Sequence, residues 1–283
     1  MAVTRFAPSP SGLLHLGHAY SAVIAHDAAR AQGGQFRLRI DDIDAARSRE
    51  EHVDAALADL AWLGLDWDGP LWRQSAHVPR YAAALDRLIA AKLAYPCFCT
   101  RADIAASTAA PHGPAGSIYP GTCRALPDTV RAERMTRRPF CWRLDMAAAA
   151  AQAGPLMAQN DGVLRPFDPA PHGDVVIARK DAPASYHLAS TIDDADMGIT
   201  LVVRGADLVE ATAVHLLLQR LLDLPSPAYR HHPLIGDADG VRLAKRNAAA
   251  TLAAMRAAGV DGRQLADALR VGTLPAGYSL GEG

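Results

Sequence analysis

The chain has almost no lysine: only Lys92, Lys180 and Lys245 stand among its 29 basic residues, so arginine carries nearly all the positive charge. It also lacks a sizeable net charge of either sign, with 29 Lys+Arg against 30 Asp+Glu and a formal balance of -1. A protein that held nucleic acid by bulk attraction would carry a basic excess, so any RNA contact here has to come from local patches. No apolar run approaches the roughly 18 residues that span a bilayer. Met1-Ala2-Val3-Thr4-Arg5 has no signal-peptide hydrophobic region, which predicts a cytoplasmic protein that uses no membrane. Cysteine is scarce, with 4 in 283 residues. In a reducing compartment those four point to metal or core roles sooner than to disulfides. Neither G-x-x-x-x-G-K-[ST] nor G-x-G-x-x-G occurs, which removes the main support for a phosphate-loop NTPase or an ordinary dinucleotide enzyme.

What is present is globular, with 50% hydrophobic and 21% charged residues. The length suits one large or two modest domains, at roughly 100 to 200 residues each. Val3 to Ala7 reads as a short buried strand, Pro8-Ser9-Pro10-Ser11-Gly12 as a turn, and His15 to Gln32 as an alanine-rich helix. Gln35 to Ile40 is a second strand, followed by helices over Arg49 to Leu63 and Val78 to Leu93. Alternation of this kind predicts an α/β protein built on a doubly wound parallel sheet. Between Pro96 and Pro171 the pattern breaks into Pro, Gly and Arg clusters and holds all four cysteines, which reads as an inserted lobe. The expected division is 1–95 and 172–235 for two halves of one domain and 96–171 for the lobe. Residues 236–283 form a lysine-bearing loop with a short helical C-terminal region. Asp174 to Ala178 and Ile199 to Val203 are strand-like, while Tyr186 to Asp194 and Leu208 to Leu222 suit helices.

A polar loop that leaves a strand and enters a helix is where an α/β sheet binds anions, because the unpaired helix N–H groups face the ligand. His15-Leu16-Gly17-His18 sits at such a place. Two imidazoles three residues apart share one helix face and can donate to phosphate oxygens, and Gly17 permits close approach of a nucleotide. Lys245, within Arg242-Leu243-Ala244-Lys245-Arg246, is a late ammonium able to neutralise a departing pyrophosphate. In the lobe, Cys97-Phe98-Cys99 and Tyr119-Pro120-Gly121-Thr122-Cys123 offer three thiolates and a phenol. Zn²⁺ takes four such ligands, with Tyr119, Cys141 and His112 competing for the fourth place.

Taken together, Arg5-Phe6-Ala7-Pro8-Ser9-Pro10-Ser11-Gly12, His15-Leu16-Gly17-His18, Val202-Val203-Arg204-Gly205-Ala206-Asp207-Leu208 and Arg242-Leu243-Ala244-Lys245-Arg246 stand in the order found in class I glutamyl-tRNA synthetases. The chain resembles their catalytic half from residue 3 to about residue 250. The resemblance implies a Rossmann-like class I catalytic domain, with His15, Gly17, His18 and Lys245 binding ATP and its Mg²⁺. It also implies a catalytic role for His15, His18 and Lys245. A glutamate site is implied at Arg5, Ser9, Asp41, Tyr186 and Arg204. Two positions depart from the family: Asp41 stands where glutamate is usual, and Ala244 where the loop commonly has serine.

Only residues 247–283 follow Arg246, fewer than an anticodon-reading domain of ordinary size needs. The resemblance therefore runs to the short glutamyl-Q tRNA(Asp) synthetases, in which matching Cys-x-Cys and Tyr-x-x-x-Cys residues hold a structural zinc. That favours Cys97, Cys99, Tyr119 and Cys123 as ligands. The implied reaction activates glutamate with ATP and transfers it to the queuosine base in the anticodon of tRNA(Asp), by a monomeric enzyme. Two other readings stay open: a stand-alone glutamyl-tRNA synthetase that charges the tRNA 3′ end, and a non-catalytic zinc-containing RNA-binding module.

Overall fold

The computed structural model describes residues 1–105, 112–113, 116–237 and 250–281. In chain order the first elements are β1 (Val3–Phe6), α1 (Leu16–Arg30), β2 (Gln35–Ile40), α2 (Glu50–Trp62), β3 (Trp72–Arg73), α3 (Val78–Ala90), β4 (Ala94–Cys97) and α4 (Arg101–Ala105). There follow β5 (His112–Gly113), β6 (Gly116–Ser117), α5 (Asp128–Arg137), β7 (Cys141–Leu144), α6 (Met146–Ala153), β8 (Leu156–Asn160), β9 (Val163–Phe167) and β10 (Val176–Ala178). The last are α7 (Tyr186–Asp196), β11 (Leu201–Gly205), α8 (Ala211–Leu221), β12 (Ala228–His232), β13 (Ile235–Asp237), α9 (Leu252–Ala257), α10 (Gly262–Arg270) and β14 (Tyr278–Leu280).

β1 and β2 are short and largely buried, as strands covered on both faces are. They pair in parallel from Val3↔Gln35 to Phe6↔Leu38, and β3 joins β2 through Arg39↔Trp72. In the other half β11 runs parallel to β12 and β12 parallel to β8. β9 closes the edge as an antiparallel hairpin with β8. Its turn, Asp161-Gly162, has φ of 51° and 78°, the left-handed pair that a two-residue hairpin requires and that Asp-Gly supplies at least cost. The two halves meet where the Thr200 amide donates to the Val3 carbonyl and the Val3 amide to Thr200 Oγ1, both at 2.9 Å. That places β1 beside β11.

Residues of α1, α2 and α10 pack with β1 and β2 in one apolar cluster, and α3, α7 and α8 pack in another. Helices on both faces of a mostly parallel sheet make the doubly wound α/β class that the alternating pattern predicts. The chain leaves β1 toward the face of α1 and leaves β11 toward the face of α8. Strands that send their crossovers to opposite faces leave a crevice between their carboxyl ends.

Sheet pairing runs across the expected lobe boundaries at 96 and 171. β4, β7 and β10 form a small antiparallel sheet in the order β10-β7-β4, which starts at Ala94 and ends at Ala178. It covers its own small core of Tyr95, Cys97, Phe98, Tyr119, Cys123 and Cys141. β8 and β9 fall inside the same interval yet belong to the large sheet through the Tyr229↔Asn160 pair. Density of Pro, Gly and Arg marks irregular chain but is blind to the buried and exposed alternation of Leu156–Asn160 that makes it a strand.

Beyond the segment 238–249, α9 and α10 occupy the region expected to be helical. β14 adds a strand that pairs antiparallel with β13 from Ile235↔Leu280 to Asp237↔Tyr278. The chain re-enters beside the first loop: Thr251 bridges His15, and the Leu252 amide donates to the Leu14 carbonyl at 2.8 Å.

Candidate active site

A cavity of about 300 Å³ opens at the carboxyl ends of β1 and β11. Arg5 to Ser9 line it from β1 and the turn after it, and His15, Gly17, His18 and Tyr20 from the start of α1. Tyr186 enters from the start of α7, Val203 to Gly205 from β11, and His232, Leu234 and Ile235 from the end of β12 and beyond. Arg5, Ser9, His15, Gly17, His18, Tyr186 and Arg204, chosen from sequence, therefore share one cavity wall. Asp41 is not among the lining residues; Lys245 lies in 238–249, outside the described residues. The last described residues before that segment include cavity-lining Ile235, and Thr251 after it is bridged to cavity-lining His15.

His15 is the N-cap of α1, and the two histidines build a capping box. The Gly17 amide donates to His15 Nδ1 at 3.2 Å, and the His15 amide donates to His18 Nδ1 at 3.1 Å. A ring nitrogen that accepts from an amide carries no proton, so in each neutral imidazole the proton sits on Nε2. The rings lie 3.8 Å apart between centroids. A Cβ at position 17 would stand 3.1 Å from His15 Cε1, so the glycine makes room first of all for the capping ring.

Behind this wall lies a buried charge cluster that sequence reasoning named only in part. Arg5 donates from Nε and Nη2 to the two oxygens of Asp194, at 3.0 and 3.3 Å, and from Nη1 to the Val203 carbonyl. Fully buried Arg39 donates to Asp194 at 2.5 Å and to Asp41 at 2.6 Å, with Asp193 at 3.8 Å. Asp193 in turn accepts from Trp72 Nε1, Gln74 Nε2 and the Tyr81 hydroxyl. Burial opposes ionisation of Asp194, but Arg5 and Arg39 together hold its carboxyl below the usual range. Among the described residues the Asp41 carboxylate has Arg39 alone as a hydrogen-bonded partner, and burial pushes its carboxyl up to about 6. Two guanidiniums face three carboxylates, which leaves the fully ionised cluster one negative charge in excess. Arg39, Asp193 and Asp194 carried no motif signal, since a lone Arg or an Asp-Asp pair in a helix reads as a surface ion pair.

Arg204, buried at 4% exposure, is held differently. Its Nη1 donates to His215 Nδ1 at 3.0 Å, its Nη2 to Thr212 Oγ1 at 2.7 Å, and its Nε to His231 Nε2 at 3.3 Å. The Tyr229 ring lies under the guanidinium at 5.3 Å. No carboxylate pairs with it among the described residues.

In the small sheet, the Cys97, Cys99 and Cys123 Sγ atoms lie within 4.8 Å of one another, and Cys99 and Cys123 are 3.6 Å apart. Zn–S bonds of about 2.3 Å in a tetrahedron put sulfurs about 3.8 Å apart, so the spacing fits the ion. The Tyr119 hydroxyl stands 3.6 Å from Cys99 Sγ and accepts from the Cys123 amide at 2.7 Å. Cys141 is outside the trio and donates to the Cys97 carbonyl at 3.6 Å. The side chain of His112 is outside the described residues. All four cysteines are reduced.

Among the described residues no helix is long and apolar enough to cross a membrane. Residues 1–276 match the family of tRNA synthetases class I (E and Q), catalytic domain. A glutamyl-Q tRNA(Asp) synthetase of Rhodobacter capsulatus is 46% identical over 92% of this chain and 96% of its own length. One from Symbiobacterium thermophilum is 46% identical over 91% of this chain and 82% of its own. The crystal structure of a glutamate tRNA ligase from Elizabethkingia meningosepticum, in complex with its amino acid, superposes with a TM-score of 0.71 at 26% identity. That match covers 87% of this chain, which spans about half (52%) of the ligase. With the cavity, the histidine-capped helix and these relatives in hand, the chain belongs to the glutamyl-Q tRNA(Asp) synthetases, within the class I tRNA synthetase family.

Proposed function

We propose that the protein activates glutamate with ATP and transfers it to the queuosine base in the anticodon of tRNA(Asp). The observation that carries this reading is the single cavity at the ends of β1 and β11, which gathers anion-binding and guanidinium groups in one place. Its Arg204 end, a buried cation without a carboxylate partner among the described residues, suits the distal carboxylate of glutamate, with Tyr186 beside it. The cluster of Arg5, Arg39, Asp41, Asp193 and Asp194, which carries one negative charge in excess when fully ionised, suits the α-ammonium, with Ser9 at the rim. Asp41, shorter than the family's usual glutamate, acts there through the cluster as a whole.

ATP enters as its Mg²⁺ complex, with its phosphates over the start of α1. The capping box fixes the proton of both His15 and His18 on Nε2, the atom from which each donates to phosphate oxygen. Gly17 keeps the His15 ring in place, and Lys245 neutralises charge on the departing pyrophosphate. The α-carboxylate attacks the α-phosphorus, forming a P–O bond as the bond to pyrophosphate breaks, and glutamyl-adenylate results. A hydroxyl of the queuosine cyclopentenediol then attacks the acyl carbon and expels AMP. Orientation and charge stabilisation supply the catalysis, and no protein base is assigned. Zn²⁺ bound by Cys97, Cys99, Cys123 and Tyr119 would pin the small sheet and take no part in the chemistry. The enzyme works as a monomer in the cytoplasm.

Nuclease mapping of labelled glutamate on queuosine-containing tRNA(Asp) tests the transfer step. The expected position is the anticodon; label on the 3′-terminal adenosine would replace this reading with a stand-alone glutamyl-tRNA synthetase.

A further inference from the structure

The bonds around Arg204 fix one consistent set of protons. A guanidinium can only donate, so His215 Nδ1 is an acceptor and the proton of the neutral ring is on Nε2. From there it donates to His187 Nδ1 at 3.2 Å. On the other side the Asn160 side-chain Oδ1 accepts from His231 Nδ1 at 2.8 Å, which leaves His231 Nε2 as the acceptor for Arg204 Nε. Thr212 Oγ1 accepts from Nη2 and lies 3.4 Å from the same His231 Nε2, toward which its own proton turns. Burial, then the charge of Arg204, holds His215 well below the ordinary histidine value and lowers His231 to about 4. Every side-chain acceptor of Arg204 among the described residues is thus neutral.

We infer that His215, Thr212 and His231 form a neutral acceptor cradle that orients Arg204 without cancelling its charge, and that this cradle sets the preference for glutamate over glutamine. The inference rests on the glutamate reading of the cavity. A guanidinium has two N–H groups on each terminal nitrogen and one on Nε, so three bonds to the cradle leave one N–H on Nη1 and one on Nη2. A carboxylate in the cradle would satisfy the same donors but neutralise the cation. The site would then receive a carboxamide as readily as a carboxylate. His215, Thr212 and His231 act through Arg204 and are positioning residues. No motif marks them: Thr212 and His215 sit in the apolar stretch of α8 that runs to Leu218 and read as packing.

The test compares His215→Glu with His215→Gln in the full chain. The readouts are glutamate and glutamine binding by calorimetry, and the Michaelis constants for glutamate and ATP in pyrophosphate exchange. His215→Gln, which keeps a neutral acceptor, is expected within about fivefold of wild type for glutamate. His215→Glu is expected to weaken glutamate at least a hundredfold, to narrow the glutamate-to-glutamine ratio at least tenfold, and to leave the ATP constant within twofold. Thr212→Val, nearly the same shape, raises the glutamate constant with kcat within twofold. Equal glutamate affinity in the His215→Glu and His215→Gln proteins, with ATP binding intact, overturns the cradle. Should His215→Glu fail to fold, an unchanged glutamate constant in Thr212→Val does so instead. A wild type that binds glutamate yet catalyses no exchange defeats the activation reading and leaves the cradle standing. A wild type that does not bind glutamate defeats both.

Discussion

At the scale of single residues the site is an exercise in where charge is cancelled and where it is left. Arg5 and Arg39 are buried against carboxylates, whereas Arg204 is buried against neutral acceptors. Removing a hydrogen-bonded buried charge that receives a substrate charge costs roughly 2 to 5 kcal/mol. Arg204→Ala is therefore expected to raise the glutamate Michaelis constant by about a hundredfold or more while the ATP constant stays within a few-fold, as read by exchange assays at saturating partner substrate. Asp41 gives a pH signature. Burial raises its carboxyl to about 6, above the unfolded value of about 3.9, so its ionised form costs stability above pH 6 and that cost fades as pH falls toward 4. The α-ammonium of glutamate favours the ionised form. The glutamate Michaelis constant should accordingly rise as pH drops through 6, and in Asp41→Asn it should be flat from pH 5 to 7. A wild-type profile without that rise would remove Asp41 from the ammonium site.

At the scale of elements, most of what the sequence announced came from periodicity. Gln35–Ile40 and the helix after His15 are legible because apolar spacing and a turn frame them. The split of β8 and β9 from the small sheet is not, because it depends on which distant strand completes the pairing. The same holds at the site. Motif residues were found where neighbours in sequence are neighbours in space, while Arg39 and Asp194 meet across 155 positions of chain, and Thr212 and His215 matter through a guanidinium on a different element. The small sheet makes a direct prediction: with three thiols at zinc spacing and Tyr119 beside them, purified protein should carry about one zinc per chain by metal analysis. Cys123→Ala should lose it, and Tyr119→Phe should release it to a chelator at least tenfold faster. Elsewhere, Asp59 of α2 is fully buried, and among the described residues neither oxygen has a hydrogen-bond partner. Its nearest cation is Arg256 of α9, 3.5 Å away. Burial raises its carboxyl to about 6, so the ionised form costs stability above that pH. Asp59→Asn should stabilise the fold at pH 7.5 by roughly 1 to 3 kcal/mol, a gain that vanishes below about pH 4, where the unfolded carboxyl is also protonated. Denaturant melts at the two pH values would show it.

For the whole molecule, the doubly wound sheet explains why residues as distant as Arg5, His15, Tyr186 and Arg204 meet. Strands that wind away from each other leave their carboxyl ends facing one crevice, and the loops that fill it come from both halves of the chain. The account rests on that crevice being a single site for a dicarboxylic amino acid and a nucleotide. Its most direct test is pyrophosphate–ATP exchange with a panel of amino acids, run on the wild type and on Lys245→Ala. The account predicts exchange with glutamate, at least a hundredfold less with glutamine or aspartate, and loss of exchange in Lys245→Ala. Exchange that is driven as well by another amino acid, or that survives without Lys245, would contradict it.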